Sequence, residues 1–341
     1  MPGPDPAVAQ VRSAVRPALT ASERPVLVAC SGGADSLALA AAVAFEAPRA
    51  GVPAGAVTVD HGLQPGSAER AEQTGALLAS LGLAPVHVVR VDVGLDGGPE
   101  AAARTARYDA LAATARGARI ALGHTLDDQA ETVLLGLARG SGPRSVAGMV
   151  EQRDAGGGTW WRPLLGIRRE TTRAACAAQE LPVWDDPWNT DPAYTRARLR
   201  AEVLPLLEEV LGGGVARALA RTAAQVREDL DVLDALARAE LAGLGPLDDG
   251  LPAADAAALP AAIRRRVVRE WLRAGGVPDL QAVHLAAVDA LLSRWRGQGR
   301  VDLPGGAGVL RASGRLLLLP PASGTPVPGS DLRPSRSTTS E

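Results

Sequence analysis

The sequence feature that most constrains the fold is a short apolar run that leads through a glycine-rich loop directly into an Ala- and Leu-rich stretch. The run is Val26–Ala29, and the loop consists of Ser31, Gly32, Gly33, Ala34, Asp35 and Ser36. Two adjacent glycines permit positive φ and let backbone N–H groups converge on an anion at the N-terminus of the following helix. The order of strand, loop and helix therefore predicts a phosphate-binding loop.

The side chains of this loop suit a nucleotide and its metal ion. Ser31 and Ser36 bring hydroxyl donors, whereas the Asp35 carboxylate repels phosphate and is better suited to holding a bridging Mg²⁺. The chain contains no Lys, so any phosphate is held by Arg, backbone N–H groups or a metal. We therefore predict ATP as the ligand and Mg²⁺ as its ion. The alternative is an ordinary Gly-Gly turn in which Asp or Ser only caps a helix.

Short apolar runs alternate with helical stretches from Val26 to about Pro163. This order predicts parallel βαβ units and an α/β fold with a doubly wound parallel sheet covered by helices on both faces. The predicted strands are 26–29, 56–59, 86–89, 119–122 and 159–161, and the predicted helices lie near 36–47, 67–82, 99–116 and 126–138. The segment 151–158, rich in Gly and charge, is predicted to be a loop.

Four regions are predicted along the chain. Residues 1–24 form an N-terminal helical extension, and residues 25–210 form the ATP-binding domain. A break at Leu211–Gly214 opens a small mainly helical domain, 211–322, which ends in a short hairpin built from segments 303–306 and 316–319. The Ser-, Thr- and Pro-rich tail, 323–341, is predicted to be disordered.

Polar clusters follow two further predicted strands, Asp60-His61 after the second and His124 with Asp127-Asp128 after the fourth. The C-terminal ends of parallel strands line one crevice, so we expect these clusters to meet the loop. Asp128 is favoured as a second metal-binding carboxylate. The alternatives are a satisfied turn for Asp60 and His61, a helix cap for Asp128 and a packed loop residue for His124. The role of Asp127 stays open.

Composition excludes several classes of protein. Only Cys30 and Cys176 occur, and neither has a close partner, so a disulfide framework and a zinc cluster are not expected and a reducing cytoplasm fits. No apolar run is long enough to cross a membrane, and the N-terminus lacks the pattern of a signal peptide. The net charge of −2 provides no global field for nucleic acid.

These motifs resemble the N-type ATP pyrophosphatase, or PP-loop, superfamily, which has a Rossmann-like sheet, and within it the tRNA(Ile)-lysidine synthase family. The resemblance covers roughly residues 25 to 210, and its later segments are Glu100–Tyr108, Leu137–Gly140, Arg162–Leu165 and Asp186–Arg196. It implies joining of free L-lysine to C2 of the wobble cytidine of tRNA(Ile) with a CAU anticodon. An adenylated base is the implied intermediate, and AMP and pyrophosphate are released.

The resemblance also implies roles for individual residues. The catalytic set is Asp35, Asp128, Arg104 and Arg196, with Asp35 and Asp128 as metal ligands and His124 beside the ATP. The candidates for the lysine pocket are Asp60, His61, Asp127 and Glu131, and the sequence does not rank its three acids. Arg104 has Glu100 one helical turn before it, so helix stabilisation is the alternative to a phosphate contact. The family usually has Asn where this chain has Ala197, which puts any role of that amide in doubt.

A local basic patch is expected to bind the tRNA, because eight Arg and three acidic residues lie between residues 261 and 300. The residues chosen for tRNA binding are Arg264, Arg265, Arg266 and Arg269. Trp271 and Trp295 lie among them and offer either stacking surfaces or helical core. A homodimer is an option that the sequence leaves open.

Two alternative functions remain at this stage. The first is another adenylating PP-loop enzyme that modifies tRNA or forms an amide, although a thiolation enzyme would need paired cysteines and a glutamine-fed synthetase a glutaminase domain. The second is an ATP- and tRNA-binding module without turnover. Retention of both Asp35 and Asp128 opposes the second alternative.

Overall fold

A six-stranded sheet, in the order β3-β2-β1-β4-β6-β5, forms the centre of the N-terminal part of the chain. Its strands are β1 Val26–Ala29, β2 Ala54–Asp60, β3 Val86–Arg90, β4 Arg119–Leu122, β5 Gln152–Ala155 and β6 Gly158–Trp161. The central strand β1 pairs in parallel with β2 and β4, so the predicted parallel α/β sheet is confirmed. In this computed structural model the described residues are 3–21, 23–94, 99–140, 142–155, 158–189 and 191–321.

The edge strand β5 departs from the prediction of a loop over segment 151–158. Residues Gln152–Ala155 instead pair antiparallel with β6. The strand is short and charged, and its side chains carry no apolar signal because an edge strand faces water along one side. The loop prediction is therefore wrong for these four residues.

Helices cover both faces of this sheet, and they confirm the four predicted ones to within two residues. They are α1 Pro6–Thr20, α2 Ala34–Glu46, α3 Ser67–Ser80, α4 Pro99–Ala115, α5 Leu126–Arg139, α6 Pro143–Val146, α7 Arg169–Ala177, α8 Thr195–Arg198 and α9 Leu204–Val210. A π-helical turn, Leu199–Val203, joins α8 to α9. The N-terminal extension is helical because Val8, Val11, Val15 and Leu19 recur at helical spacing, and all four side chains are buried.

The chain divides into two compact units, Met1–Val226 and Arg227–Glu341, and the division falls inside the long helix α10 Val215–Gly243. The second unit has its own core and contains β7 Leu251–Pro252, α11 Ala253–Ala258, α12 Ala261–Ala274, α13 Ala282–Ser293, β8 Val301–Asp302, β9 Gly308–Ala312 and β10 Arg315–Leu319. Its antiparallel sheet has the order β7-β10-β9-β8. The closing hairpin is therefore β9-β10, and the predicted segment 303–306 lies just before it.

Trp271 is buried in the core of the second unit, which confirms the core alternative for that ring, whereas Trp295 is 38% exposed. The tail predicted to be disordered, 323–341, lies outside the described residues. Within the parts of the chain that the structure describes, every helix is too short or too polar to span a bilayer.

The packing of α5 against α6 generates a stability prediction. A Cβ atom at Gly136 would overlap the carbonyl oxygen of Ser145, so Gly136→Ala should force α6 away and destabilise the protein by about 1–3 kcal/mol. Gly243, the last residue of α10, has open space around it and is the matched control, because Gly243→Ala should be neutral or stabilising. Chemical denaturation measures both changes. Equal stability of the two variants would contradict this packing.

Candidate functional site

The glycine-rich loop takes the geometry of an anion site. Gly32 has a φ of 84°, a value that only glycine adopts readily. The hydroxyl of Ser36 donates to the carbonyl of Gly33 at 3.0 Å and accepts from the backbone N–H of Ser31 at 3.2 Å, which closes the loop. Gly33 is the N-cap of α2, and no side chain caps this helix terminus. The first N–H groups of α2 therefore lie where a phosphate can accept from them.

The strand β4 delivers the second cluster directly to this loop. A Cβ at Gly123 would lie 2.9 Å from the backbone of Asp35 and Ser36, so only glycine lets the end of β4 approach α2 this closely. The residues after Gly123 begin α5 beside the loop. The predicted convergence of Asp35 and Asp128 in one crevice is therefore observed.

A residue that the sequence reasoning missed, Arg169 at the start of α7, joins the two carboxylates. Its Nε lies 3.0 Å from Oδ2 of Asp35, and its second terminal nitrogen lies 2.7 Å from Oδ1 of Asp128. A third contact, at 3.5 Å, reaches Oε1 of Glu131. Burial opposes the charge on Arg169, but Asp128 and Asp35 outweigh burial and raise its pKa. One guanidinium thus contacts three carboxylates.

The two joined carboxylates differ in their environments. Burial raises the pKa of Asp35, and Arg169 with the hydroxyl of Thr172 only partly offsets that effect. Asp128 also caps α5, because its Oδ2 accepts from the backbone N–H of Thr125 at 2.7 Å. Burial alone would raise the pKa of Asp128, but Arg169 and that N–H group outweigh it and lower the pKa. Asp128 therefore serves as a cap and as part of the cluster.

Glu131, one turn along α5, is fully buried and anchors the segment around α8. The Nε of Arg200 lies 2.9 Å from its Oε1, and a terminal nitrogen of Arg196 lies 3.5 Å from its Oε2. Arg198 instead pairs with Glu202, four positions further along the chain. The π-helical turn holds Arg200, and such turns occur often at functional sites.

Ala197, the departure from the family pattern, is buried between the arginines of α8. A small apolar side chain needs no hydrogen-bond partner there, whereas a buried amide would need several. The substitution is thus compatible with the local packing.

Asp127 faces a different partner from Asp128. Its carboxylate contacts the guanidinium of Arg168 at 3.1 Å and accepts from the backbone N–H of Arg169 at 2.8 Å.

Asp60 is buried at the end of β2, and its Oδ1 accepts from the backbone N–H of Gly62 at 2.9 Å. Burial would raise the pKa of Asp60, but hydrogen bonds, first from Ser67 and then from Gly62, lower it. The turn predicted as an alternative for Asp60 is therefore present.

Two of the histidines, His124 and His61, follow strands β4 and β2. Burial lowers the pKa of His124 to about 4, and burial with the nearby Arg107 lowers that of His61. In the described part of the chain, the buried Nδ1 atoms of both rings have no hydrogen-bond partner. Both Nδ1 atoms are therefore available to a ligand.

The predicted phosphate contact Arg104 lies on the surface of α4, where it donates to the hydroxyl of Tyr108 at 3.2 Å. Arg107, one turn further, is more enclosed, and burial lowers its pKa. No carboxylate contacts Arg107 among the residues that the structure describes. The sequence signal for it was present, because Arg107 stands three positions after Arg104 on the same helix.

The donor set at Asp35 and Asp128 suits a hard divalent cation. Among the described residues no group of three His, Cys, Asp or Glu could bind a metal by itself. Mg²⁺ commonly takes only one or two protein carboxylates and completes its shell with water and phosphate oxygens. Arg169 shows that one cationic group can reach both carboxylates, so these residues fit an ion that arrives with a polyphosphate.

In the second unit, three of the arginines predicted to bind tRNA contact acidic side chains of the same unit. Arg264 lies 2.7 Å from the buried Asp289, and Arg266 lies 2.9 Å from Asp234. Arg265 lies 3.6 Å from the same Asp289 but keeps 61% of its side chain exposed, and Arg269 is half-buried. The tRNA-binding role of these four arginines stays a prediction, and Arg265 is the one whose side chain is most exposed in its ion pair.

Comparisons with protein families and with individual known proteins indicate the same family for this chain. The family model described as "PP-loop domain" matches residues 6–207, and the one described as "TilS substrate binding domain" matches residues 251–317. Similar proteins named tRNA(Ile)-lysidine synthase come from Streptomyces coelicolor, at 54% identity over 93% of this chain and 99% of that protein, and from Salinispora tropica, at 55% identity over 93% and 98%.

A solved structure shows the same fold. The U34-tRNA thiolase NcsA from Methanococcus maripaludis, determined with its [4Fe-4S] cluster, superposes with a TM-score of 0.53 over 65% of this chain and 80% of that chain. The sequence identity is 18%, so the likeness concerns the fold alone.

The lowered pKa of His124 generates a pH prediction. Between pH 6.5 and about 4, the unfolded chain binds a proton at this residue that the folded protein does not bind. Its contribution to the free energy of unfolding is therefore complete above pH 6.5 and falls as the pH is lowered through that window. His124→Gln should flatten the pH dependence of stability there, as measured by urea denaturation. An unchanged dependence would show that the ring titrates normally.

Proposed function

The chain belongs to the tRNA(Ile)-lysidine synthase family, and on that premise we propose that it joins L-lysine to C2 of the wobble cytidine of tRNA(Ile) with a CAU anticodon. In the first step, O2 of the cytosine attacks the α-phosphorus of ATP and the bond to pyrophosphate breaks. In the second step, the ε-amino nitrogen of lysine attacks C2, loses its proton, and the C2–O2 bond breaks. AMP leaves with that oxygen, and the product base is lysidine.

One observation carries this proposal. Asp35 of the glycine-rich loop and Asp128 at the start of α5 lie close together at one sheet edge, where Arg169 contacts both carboxylates. Adenylation releases pyrophosphate, whose negative charge must be stabilised as the bond breaks. The N–H groups at the start of α2 provide that stabilisation. Arg107 adds a guanidinium from the facing helix α4.

We propose Asp35 and Asp128 as the residues that hold Mg²⁺. The ion, when bound, would neutralise charge on the phosphate oxygens. The protein supplies the two carboxylates and excludes water from beneath them, because Cys30 and Cys176 pack under the loop and are buried. Ser31, Gly32, Gly33, Ala34 and Ser36 would contact the phosphates, and His124 would lie beside the nucleotide.

The lysine pocket is proposed around Asp127 and Glu131. Free lysine carries an α-carboxylate that pairs with arginine and two ammonium groups that pair with carboxylates. Arg168 and Arg196 lie next to these acids and provide the matching positive charge. Asp60 is engaged in its turn, so its contribution, with that of His61, would be to shape the wall of the pocket.

For tRNA we propose a surface on the second unit that contains Arg265, Arg294, Arg296 and the ring of Trp295. Trp295 is 38% exposed, and the guanidinium of Arg311 lies 5.1 Å from the centre of its ring. An exposed aromatic ring flanked by arginines is a suitable platform for a nucleotide. Arg269 is retained at the edge of this surface. The cytoplasmic location and a homodimer stay predictions.

Activity should depend on Asp35. Asp35→Ala removes a carboxylate of the metal pair, so AMP and pyrophosphate release with ATP, lysine and a CAU-anticodon tRNA(Ile) transcript should fall by about a hundredfold or more, while tRNA affinity changes little. Asp109→Ala, on the exposed side of α4, is the matched control. Lysidine in the nucleoside digest identifies the product. Adenylation at a near-normal rate in Asp35→Ala would remove Asp35 from the metal site.

The tRNA surface should be visible in the salt dependence of binding. Arg265→Gln with Arg294→Gln should weaken tRNA binding and reduce the slope of log affinity against log salt by about one for each arginine that pairs with a phosphate. Arg49→Gln is the control, because Arg49 follows the far end of α2, about 20 Å from the loop. Filter binding at several salt concentrations provides the measurement. A slope unchanged in the double variant would place the tRNA elsewhere.

A further inference from the structure

The carboxylates proposed to hold the metal already have a cation. Arg169 lies between Asp35, on α2, and Asp128, on α5, with nitrogen-to-oxygen distances of 3.0 Å and 2.7 Å. Its side chain is 17% exposed. For Asp35 this guanidinium is the only ion-pair partner among the described residues, whereas Glu131 also has Arg196 and Arg200.

Charge in the cluster is balanced before any ligand arrives. The carboxylates are Asp35, Asp127, Asp128 and Glu131, and the guanidiniums that contact them are Arg168, Arg169, Arg196 and Arg200. A divalent ion placed between Asp35 and Asp128 would face Arg169 at short range, and like charges repel strongly in a half-buried site. Arg169 and the ion therefore cannot both occupy the space between these two carboxylates.

From this arrangement we propose that Arg169 is a built-in counter-ion of the nucleotide-free protein, which blocks divalent cations until ATP brings one. The inference rests on the proposed function, because it takes Asp35 and Asp128 as the metal pair. Arg169 is thereby a positioning residue that controls when Asp35 and Asp128 can bind a metal ion.

The chemistry of the two cations explains the order of events. Mg²⁺ gives up its water reluctantly, and two carboxylates alone offer too few oxygens to displace a tethered guanidinium. ATP adds phosphate oxygens for the ion and also offers Arg169 a new partner, because guanidinium pairs well with phosphate. Replacement of the Arg169 guanidinium by the metal ion therefore becomes favourable only when the ion and the nucleotide arrive together.

Hydrogen bonds to Asp35 and Asp128 keep the two carboxylates in place when Arg169 leaves them. Thr172 donates to Oδ1 of Asp35, and the N–H and hydroxyl groups of Thr125 donate to Oδ2 of Asp128 at 2.7 and 2.8 Å. Arg169 uses the other oxygen of each carboxylate. Its departure would leave both carboxylates oriented, with Oδ2 of Asp35 open to an ion and Oδ1 of Asp128 in contact with Arg200 at 3.5 Å.

Metal binding by the full chain without nucleotide tests the proposal, with Mn²⁺ as the probe and calorimetry or electron paramagnetic resonance as the readout. Arg169→Gln removes the competing charge, so Mn²⁺ affinity should rise by roughly tenfold or more. The double variant Asp35→Asn with Arg169→Gln should lose this gain. Arg173→Gln, one turn along α7, is the matched control and should bind Mn²⁺ as the wild type does, because Arg173 contacts the exposed Asp185 instead.

A gain in affinity cannot result from misfolding, which makes this readout specific. Arg169→Lys is the second variant, since lysine keeps the charge but cannot contact two carboxylates through a fork, and it should raise Mn²⁺ affinity to a smaller extent. Wild-type affinity in both Arg169 variants would overturn the proposal. An equal gain in Arg173→Gln would also overturn it, because the effect would then be general electrostatics.

This experiment contains neither tRNA nor lysine. If Arg169→Gln gains Mn²⁺ affinity but the wild-type protein forms no lysidine in the separate assay with ATP, lysine and tRNA, the counter-ion is supported and the proposed function is refuted. If the wild-type protein forms lysidine but Arg169→Gln shows no gain, the proposed function is supported and the counter-ion is refuted.

Discussion

The ion cluster centred on Arg169 is the interaction on which the site depends, because it ties three helices to one another. Asp35 comes from α2, Asp128 and Glu131 from α5, and the guanidinium from α7. Half-buried charges are costly to desolvate, and such a cluster is tolerated only when every member has partners. The completeness of this network fixes the loop, the end of β4 and the segment around α8 in a single arrangement.

The parallel sheet makes this arrangement accessible to a ligand. Its strands end at one edge, and Gly123 allows the end of β4 to lie against the first turn of α2. Backbone N–H groups, two carboxylates and the ring of His124 consequently lie close together. A reaction that separates pyrophosphate from AMP needs groups that stabilise the negative charge that develops on the leaving pyrophosphate.

Much of the fold could be predicted from the sequence because buried parallel strands appear as uninterrupted apolar runs, as in Val26–Ala29. The edge strand β5 could not, since its charged residues resemble a loop. The convergence of Asp35 and Asp128 was predicted from their positions after strands. Arg169 was missed because its contact with Asp35 joins residues 134 positions apart. The internal partners of Arg264 and Arg266 were not foreseen, because a basic run does not reveal which guanidiniums have them.

The central claim is that this crevice activates O2 of the wobble cytidine by adenylation. A tRNA(Ile) transcript with ¹⁸O at that position, incubated with the protein, ATP and lysine, tests it most directly. Mass spectrometry of the released AMP should show one ¹⁸O atom, because the C2–O2 bond breaks and the oxygen leaves on the phosphate. AMP that carries no ¹⁸O, formed alongside a modified base, would contradict the account.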